Sequence, residues 1–112
     1  MVTIVITKEL EREINKIFKE ESIKVFELIY SLKENPQKGK SITQIGGILL
    51  KELKYKVFRI YFIQKGGTIK FYKNNELQSQ LLKFIRISKK DNQQKIIEEI
   101  KQFLKNNTNE IL

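Results

Sequence analysis

The feature that most constrains the fold is a pair of glycines, Gly66-Gly67, between two runs rich in β-branched and aromatic residues. The first run extends over Ile48–Gln64, with a bend expected near Lys54-Tyr55, and the second begins at Thr68. Two glycines in this position suit a two-residue hairpin of type I′ or II′, whose turn needs backbone angles that glycine adopts without strain. The sequence therefore predicts an antiparallel hairpin closed at Gly66-Gly67.

Counting outwards from this turn predicts a register and sorts the hairpin into two faces. Phe62 opposes Phe71 and Tyr61 opposes Tyr72, and opposed residues share a face. The face expected to pack on helices carries Phe58, Ile60, Phe62, Ile69 and Phe71. The face expected to lie open carries Val57, Arg59, Tyr61, Ile63, Lys70 and Tyr72. A one-residue slip in the register would exchange the two faces.

Before the hairpin, the pattern predicts a short strand and two helices. Val2–Ile6 is a β-type run, and Thr7 is placed to cap a helix with an apolar stripe at helical spacing. Ser22 is placed to cap a second helix, which ends at Asn35-Pro36 because the residue before proline avoids helical backbone angles. We expect the two helices to form an antiparallel pair, followed by a polar loop over residues 37–44.

After the hairpin, the pattern predicts a turn over Lys73–Glu76, a last strand over Leu81–Ser88 and a third helix capped by Asp91. The order β-α-α-β-β-β-α predicts an α+β fold, a small antiparallel sheet with helices packed on one face. One domain is expected over residues 1–105, with a frayed tail over residues 106–112.

The positive charge of the chain is concentrated in the predicted strands. Residues 37–90 carry thirteen Lys and Arg against two acids, and the whole chain has a formal net charge of +9. Such a segment is expected to meet phosphate groups. Arg59 can bind phosphate bidentately, and Tyr61 and Tyr72 can stack on unpaired bases. An ordinary solvated sheet face with Tyr–Tyr packing explains the same residues.

The residue types present restrict the chemistry. The chain has no Cys and no His, so it has no thiol chemistry, no Ser–His or Cys–His nucleophile pair and no histidine metal ligand. Its longest apolar run, Ile45–Leu50, is too short to cross a membrane, and Met1–Ile6 lacks a signal-peptide pattern. We therefore expect a cytoplasmic protein without a metal or other cofactor. Lys, Arg and Tyr suffice for metal-independent RNA cleavage, although a non-catalytic binder satisfies the same list.

Three segments carry a family resemblance. Leu50–Lys54 reads Leu-Lys-Glu-Leu-Lys, Phe58–Phe62 reads Phe-Arg-Ile-Tyr-Phe, and Phe84–Lys90 ends in Lys-Lys before an acidic-capped helix. In the same order, the RelE/ParE superfamily of toxin–antitoxin toxins has a Leu-x-Glu-Leu-Arg strand, an aromatic-Arg-aliphatic-aromatic strand and a strand ending in Lys-Lys or Lys-Arg. The chain resembles this superfamily, and its HigB-like branch in particular, over roughly residues 2–105.

The resemblance implies a RelE-like fold and a toxin that inhibits translation by cleaving mRNA, often on the ribosome, until a cognate antitoxin protein neutralises it. It implies that Arg59 binds the scissile phosphate and that Lys54 and Lys90 are further catalytic cations. The nucleic-acid-binding residues expected around them are Lys56, Tyr61, Lys70, Tyr72, Arg86 and Lys89. Several family members carry a Tyr or His for proton transfer in the last helix, where this chain has Gln94–Ile97.

Two other functions stay open at this point. A ParE-type toxin would have the same fold but would inhibit gyrase and leave mRNA intact. A non-catalytic basic module would bind nucleic acid with a steep salt dependence and without cleavage. For the toxins, Leu82 and Phe84 are a candidate docking patch for the antitoxin.

Overall fold

The computed structural model describes residues 2–45 and 47–88, with backbone only for Ile45 and for residues 82–88. The predicted third helix from Asp91 and the predicted tail lie outside these residues. Short 3-10 helices over Lys19–Glu21 and Ser31–Lys33 follow the first two α-helices. The elements are β1 (Thr3–Ile6), α1 (Lys8–Phe18), α2 (Ser22–Tyr30), β2 (Lys40–Ile45), β3 (Ile48–Tyr55), β4 (Phe58–Lys65), β5 (Thr68–Phe71) and α3 (Asn74–Ser88).

The five strands form one mixed sheet in the order β1-β5-β4-β3-β2. The α+β class is confirmed, but the prediction of a purely antiparallel sheet is wrong, because β1 pairs with β5 in parallel, from Thr3 opposite Thr68 to Ile6 opposite Phe71. Strands β1 and β5 are far apart in sequence, so no local turn signal predicts this pairing.

A fifth strand, β2, replaces the predicted loop over residues 37–44. It pairs antiparallel with β3, and its register shifts between Ser41 and Thr43. The sequence signal is weak because an edge strand has few neighbours to pack on, and β2 accordingly holds only two apolar residues, Ile42 and Ile45.

The predicted hairpin and its register are confirmed. Phe62 opposes Phe71 and Ile63 opposes Lys70, and Gly66 has the positive φ of 56° that the turn needs. The bend expected near Lys54-Tyr55 lies two residues later, because Tyr55 opposes Phe58 and the chain reverses at Lys56-Val57.

The larger core lies between helices α1 and α2 and one face of the sheet. Thr7 caps α1 as predicted, its Oγ1 accepting a hydrogen bond from the Leu10 amide at 3.2 Å. The predicted Ser22 cap is wrong, because the preceding 3-10 turn places Ser22 already inside α2 with helical angles. The fully buried members of this core are Leu10, Ile14, Val25, Ile29, Leu32, Ile60, Phe62, Ile69 and Phe71.

A smaller core covers the opposite face, where α3 replaces the last strand predicted over Leu81–Ser88. Glu76 begins this helix by accepting a hydrogen bond from the Lys73 amide at 3.1 Å and another from Thr7 Oγ1 at 2.7 Å. The predicted turn over Lys73–Glu76 is therefore a helix start, with the reciprocal side-chain bond of a capping box. Leu77 and Leu81 of α3 pack with Ile48, Leu50, Tyr61, Ile63 and Tyr72. The prediction that this face is open to solvent is wrong for its middle part, which α3 covers.

Candidate nucleic-acid interface

Helix α3 covers the middle of one face of the sheet. Near one end of that face, two cationic side chains lie opposite each other. Lys54 of β3 is the direct partner of Arg59 of β4, next to the Tyr55–Phe58 pair that precedes the turn. Directly opposed residues have Cβ atoms about 4.5–5.5 Å apart. Lys54 is exposed and Arg59 is partly exposed. The strand register therefore places a lysine and an arginine side by side on the same face of the sheet.

The neighbouring charges on this face balance each other and leave the positive excess of the Lys54–Arg59 pair in place. Lys40 of β2 opposes Glu52 of β3, and Glu52 in turn opposes Tyr61. Because opposed residues share a face, Lys40, Glu52, Lys54 and Arg59 lie together, three cations with one carboxylate. Two cations opposed across a ladder can contact the same anion. The arrangement fits a phosphate, whose oxygens an arginine can bind bidentately.

A cleft of about 320 Å³ adjoins this group where the loop before β2 approaches β3. Gly39 makes the approach possible: its φ is 103°, and a Cβ there would lie 3.0 Å from the Glu52 carbonyl oxygen and 3.1 Å from the Phe62 ring. The lining combines apolar side chains with three lysines: Leu28, Lys38, Gly39, Lys40, Glu52, Leu53 and Lys54. An apolar interior with a cationic rim is suited to a base whose phosphates lie at the rim.

Lys56, a predicted binding residue, lies in the turn after β3 with a φ of 54°. Its Nζ lies 2.6 Å from an Oε atom of Glu21, at the junction of α1 and α2. The hydrogen bond between them raises the pKa of Lys56 and lowers the pKa of Glu21. Lys56 thus joins the strand turn to the helices, beside the Lys54–Arg59 pair.

The two predicted stacking residues are not on the surface. Tyr61 is fully buried and Tyr72 is 8% exposed, whereas a base stacks only on an open ring. Burial raises the pKa of the Tyr72 phenol, and the nearby Glu76 carboxylate raises it further. Lys70, also predicted, has its Nζ 5.3 Å from the centre of the Tyr72 ring. Lys70 opposes Ile63, four residues and about 13 Å along β4 from Arg59, so this cluster is separate from the cation pair.

Three predicted residues cannot be placed in the site. Arg86 belongs to α3, in the part where the backbone alone is described, and Lys89 and Lys90 lie outside the described residues. Of the predicted catalytic set, the structure brings together Lys54 and Arg59. It adds Lys38 and Lys40, which the sequence does not single out, although two lysines flanking a glycine before a strand are a usable signal.

Lys51 is a further residue of interest that the sequence pattern does not single out. It lies on the face opposite the cation pair, is only 4% exposed, and donates a hydrogen bond from Nζ to the Gln37 carbonyl oxygen at 3.2 Å. Burial lowers the pKa of its amine. The signal was available, because strand alternation places Lys51 on the same face as Leu49 and Leu53.

In the part of the chain that the structure describes, no helix has the length and apolar character needed to span a membrane. Across the same residues, no three His, Cys, Asp or Glu side chains cluster as metal ligands. No family model, no curated protein and no solved structure matches this chain.

Proposed function

We propose that this chain is a cytoplasmic toxin of the RelE/ParE type, an endoribonuclease that cleaves mRNA without a metal ion. The observation that supports this most is the direct opposition of Lys54 and Arg59 on a partly exposed sheet face. The strong basic excess of residues 37–90 supports a polyanionic substrate. The same excess supports neutralisation by an acidic segment of an antitoxin protein.

The proposed reaction uses the nucleophile of the substrate itself. The 2′-hydroxyl loses its proton to solvent and attacks the adjacent phosphorus. The bond from phosphorus to the 5′-oxygen of the next nucleotide breaks, and the products are a 2′,3′-cyclic phosphate and a 5′-hydroxyl. Arg59 binds the non-bridging oxygens, and Lys54 neutralises the charge that accumulates on the phosphorane. Lys54 is also the candidate for donating the proton to the leaving oxygen. Lys38 and Lys40, at the rim of the neighbouring cleft, hold the flanking nucleotide.

The test is Arg59→Ala in purified protein, assayed on end-labelled single-stranded RNA with chelator present. We expect cleavage to fall about 10²- to 10³-fold, as for loss of one preorganised transition-state donor. Arg59→Lys keeps the charge but not the bidentate geometry and should recover only part of the rate. Lys24→Ala, which removes an exposed lysine from α2, is the matched control. Wild-type cleavage by a folded Arg59→Ala protein would refute the proposal.

Expression in a bacterial host separates this activity from gyrase poisoning. Growth arrest with new 5′ ends inside translated messages, absent with Arg59→Ala, is the expected result. Arrest with intact messages and DNA-damage signalling would instead assign the ParE-type function.

A second candidate, a basic module that binds nucleic acid without cleaving it, is favoured by the tyrosines. Tyr61 is fully buried and Tyr72 is 8% exposed, so neither is placed for proton transfer to a bound RNA. Salt-sensitive binding to single-stranded RNA, with no 2′,3′-cyclic phosphate product, would select this function.

A further inference from the structure

A second cleft, on the helix-side face of the sheet, holds a buried lysine. Its volume is about 460 Å³. Ser41 opposes Lys51 and Leu49 opposes Gln64, so the strands present these four side chains on one face. The loop before β2 completes the lining of this open cleft, which is Pro36, Gln37, Ser41, Leu49, Lys51 and Gln64.

The Lys51 ammonium group has fewer hydrogen-bond acceptors around it than it has N–H groups to donate. It has three N–H groups, and the Gln37 carbonyl oxygen accepts from one of them at 3.2 Å. The Phe62 ring lies 5.7 Å from Nζ, a contact that favours a cation but accepts no conventional hydrogen bond. Among the carboxylates of residues 2–45 and 47–88, none forms an ion pair with Lys51. A buried charge without a counter-ion is costly, so a ligand that supplies one is stabilised here.

We propose that this cleft is a binding site for the phosphate group of a small ligand, with Lys51 as its cationic receptor. The Ser41 hydroxyl and the Gln37 and Gln64 amides supply neutral hydrogen-bond donors, and no lining residue is acidic. The volume is within the range of small-molecule sites. Because Lys51 and Arg59 lie on opposite faces of the sheet, this site is distinct from the proposed RNA-cleaving surface and does not depend on it.

The burial of Lys51 adds a pH dependence. Burial lowers the pKa of this amine, whereas a bound anion favours its protonated form. If the amine is neutral in the free protein, anion binding is therefore accompanied by uptake of a proton by Lys51. Phosphate affinity should therefore rise as the pH falls through the range in which the Lys51 amine gains its proton. No carboxylate of the cleft lining titrates alongside it.

The probe is inorganic phosphate, titrated into the full chain at constant ionic strength and followed through the NMR signals of the lysine Cε groups. We expect a saturating change of the Lys51 signal, assigned by its absence from the Lys51→Met spectrum and distinct from any response of Lys54 at the cation pair. Measured by calorimetry with Arg59→Ala as the common background, phosphate affinity should fall about tenfold or more in Lys51→Met, as for loss of a charge-assisted hydrogen bond. Lys24→Met removes the same charge from an exposed position and should bind phosphate as the wild type does.

Two further variants keep the proposal falsifiable if Lys51→Met does not fold. Ser41→Ala and Gln64→Ala should each weaken phosphate binding at Lys51, and Arg59→Ala should leave binding at Lys51 intact. Equal phosphate affinity in wild type, Lys51→Met and Lys24→Met would overturn the proposal, as would an unmoved Lys51 signal. A protein that fails to cleave RNA but passes this test retains the phosphate site, so the two proposals fail separately.

Discussion

Lys51 places a titratable amine among apolar side chains, and that placement makes stability depend on pH. Its pKa is lowered in the folded chain, so between that value and the ordinary value near 10.5 the unfolded chain binds more protons. Stability from this residue therefore increases as pH rises through that window, and the full penalty is present below it.

Replacing Lys51 by Met should remove this penalty. We expect Lys51→Met to be more stable than wild type by about 1 kcal/mol at pH 7, because an apolar group of similar volume replaces a buried charge. The difference should shrink as the pH approaches 10.5. Urea unfolding of both proteins at several pH values measures it, and a difference that does not change with pH would show that Lys51 titrates normally.

Gly39 is required both by its backbone angle and by the space around it. With φ at 103° and only 3.0 Å to the Glu52 carbonyl oxygen, a Cβ forces the loop away from β3. We expect Gly39→Ala to cost about 1–3 kcal/mol of unfolding free energy. Gly47→Ala is the matched control, since nothing lies within 4 Å of a Cβ there, and its effect should stay within about 0.5 kcal/mol.

At the scale of elements, α3 determines how much of the basic sheet face is accessible. Leu77 is fully buried against the face that contains Tyr61 and Tyr72. Leu77→Ala should destabilise the protein by about 2–5 kcal/mol, because truncating a buried leucine leaves a cavity. It should also increase quenching of tyrosine fluorescence by acrylamide. Ser79→Ala, an exposed position in the same helix, should change neither measurement.

Elements defined by local chemistry are predictable from this sequence. The Gly66-Gly67 hairpin, its register and the Thr7 cap depend on residues close in the chain, and all three are confirmed. The conformation of residues 81–88 is not predictable in this way, because a dense apolar run is compatible with strand or helix. The contacts that favour helix come from Thr7, distant in sequence, and from the packing of Leu77 and Leu81 on the sheet.

The candidate site was predictable in composition but not in geometry. The sequence points to Lys54 and Arg59 individually. Their direct opposition depends on where the chain reverses, and a bend at Lys54-Tyr55 instead of Lys56-Val57 would separate them. A left-handed non-glycine residue at Lys56 gives no sequence signal for that turn.

At the scale of the whole molecule, charge is expected to dominate nucleic-acid affinity. For single strands, log K should fall with log salt by about 0.7 for each phosphate neutralised. Contacts from Lys38, Lys40, Lys54 and Arg59 would give a slope near −3. Lys38→Ala and Lys40→Ala should each reduce the slope by about 0.7, whereas Lys24→Ala should leave it unchanged. Fluorescence anisotropy with labelled RNA at several salt concentrations measures this, and equal slopes would exclude the cleft rim from the contact surface.

The parallel pairing of β1 with β5 has a consequence for synthesis of the chain. Thr3 is made well before its partner Thr68, by an interval on the order of several seconds at about 5–20 residues per second. Until then, the apolar stripes of α1 and α2 have no completed sheet to cover. A nascent chain stalled before Phe71 should therefore be protease-sensitive, and under the proposed function it should lack RNase activity until strand β5 has emerged.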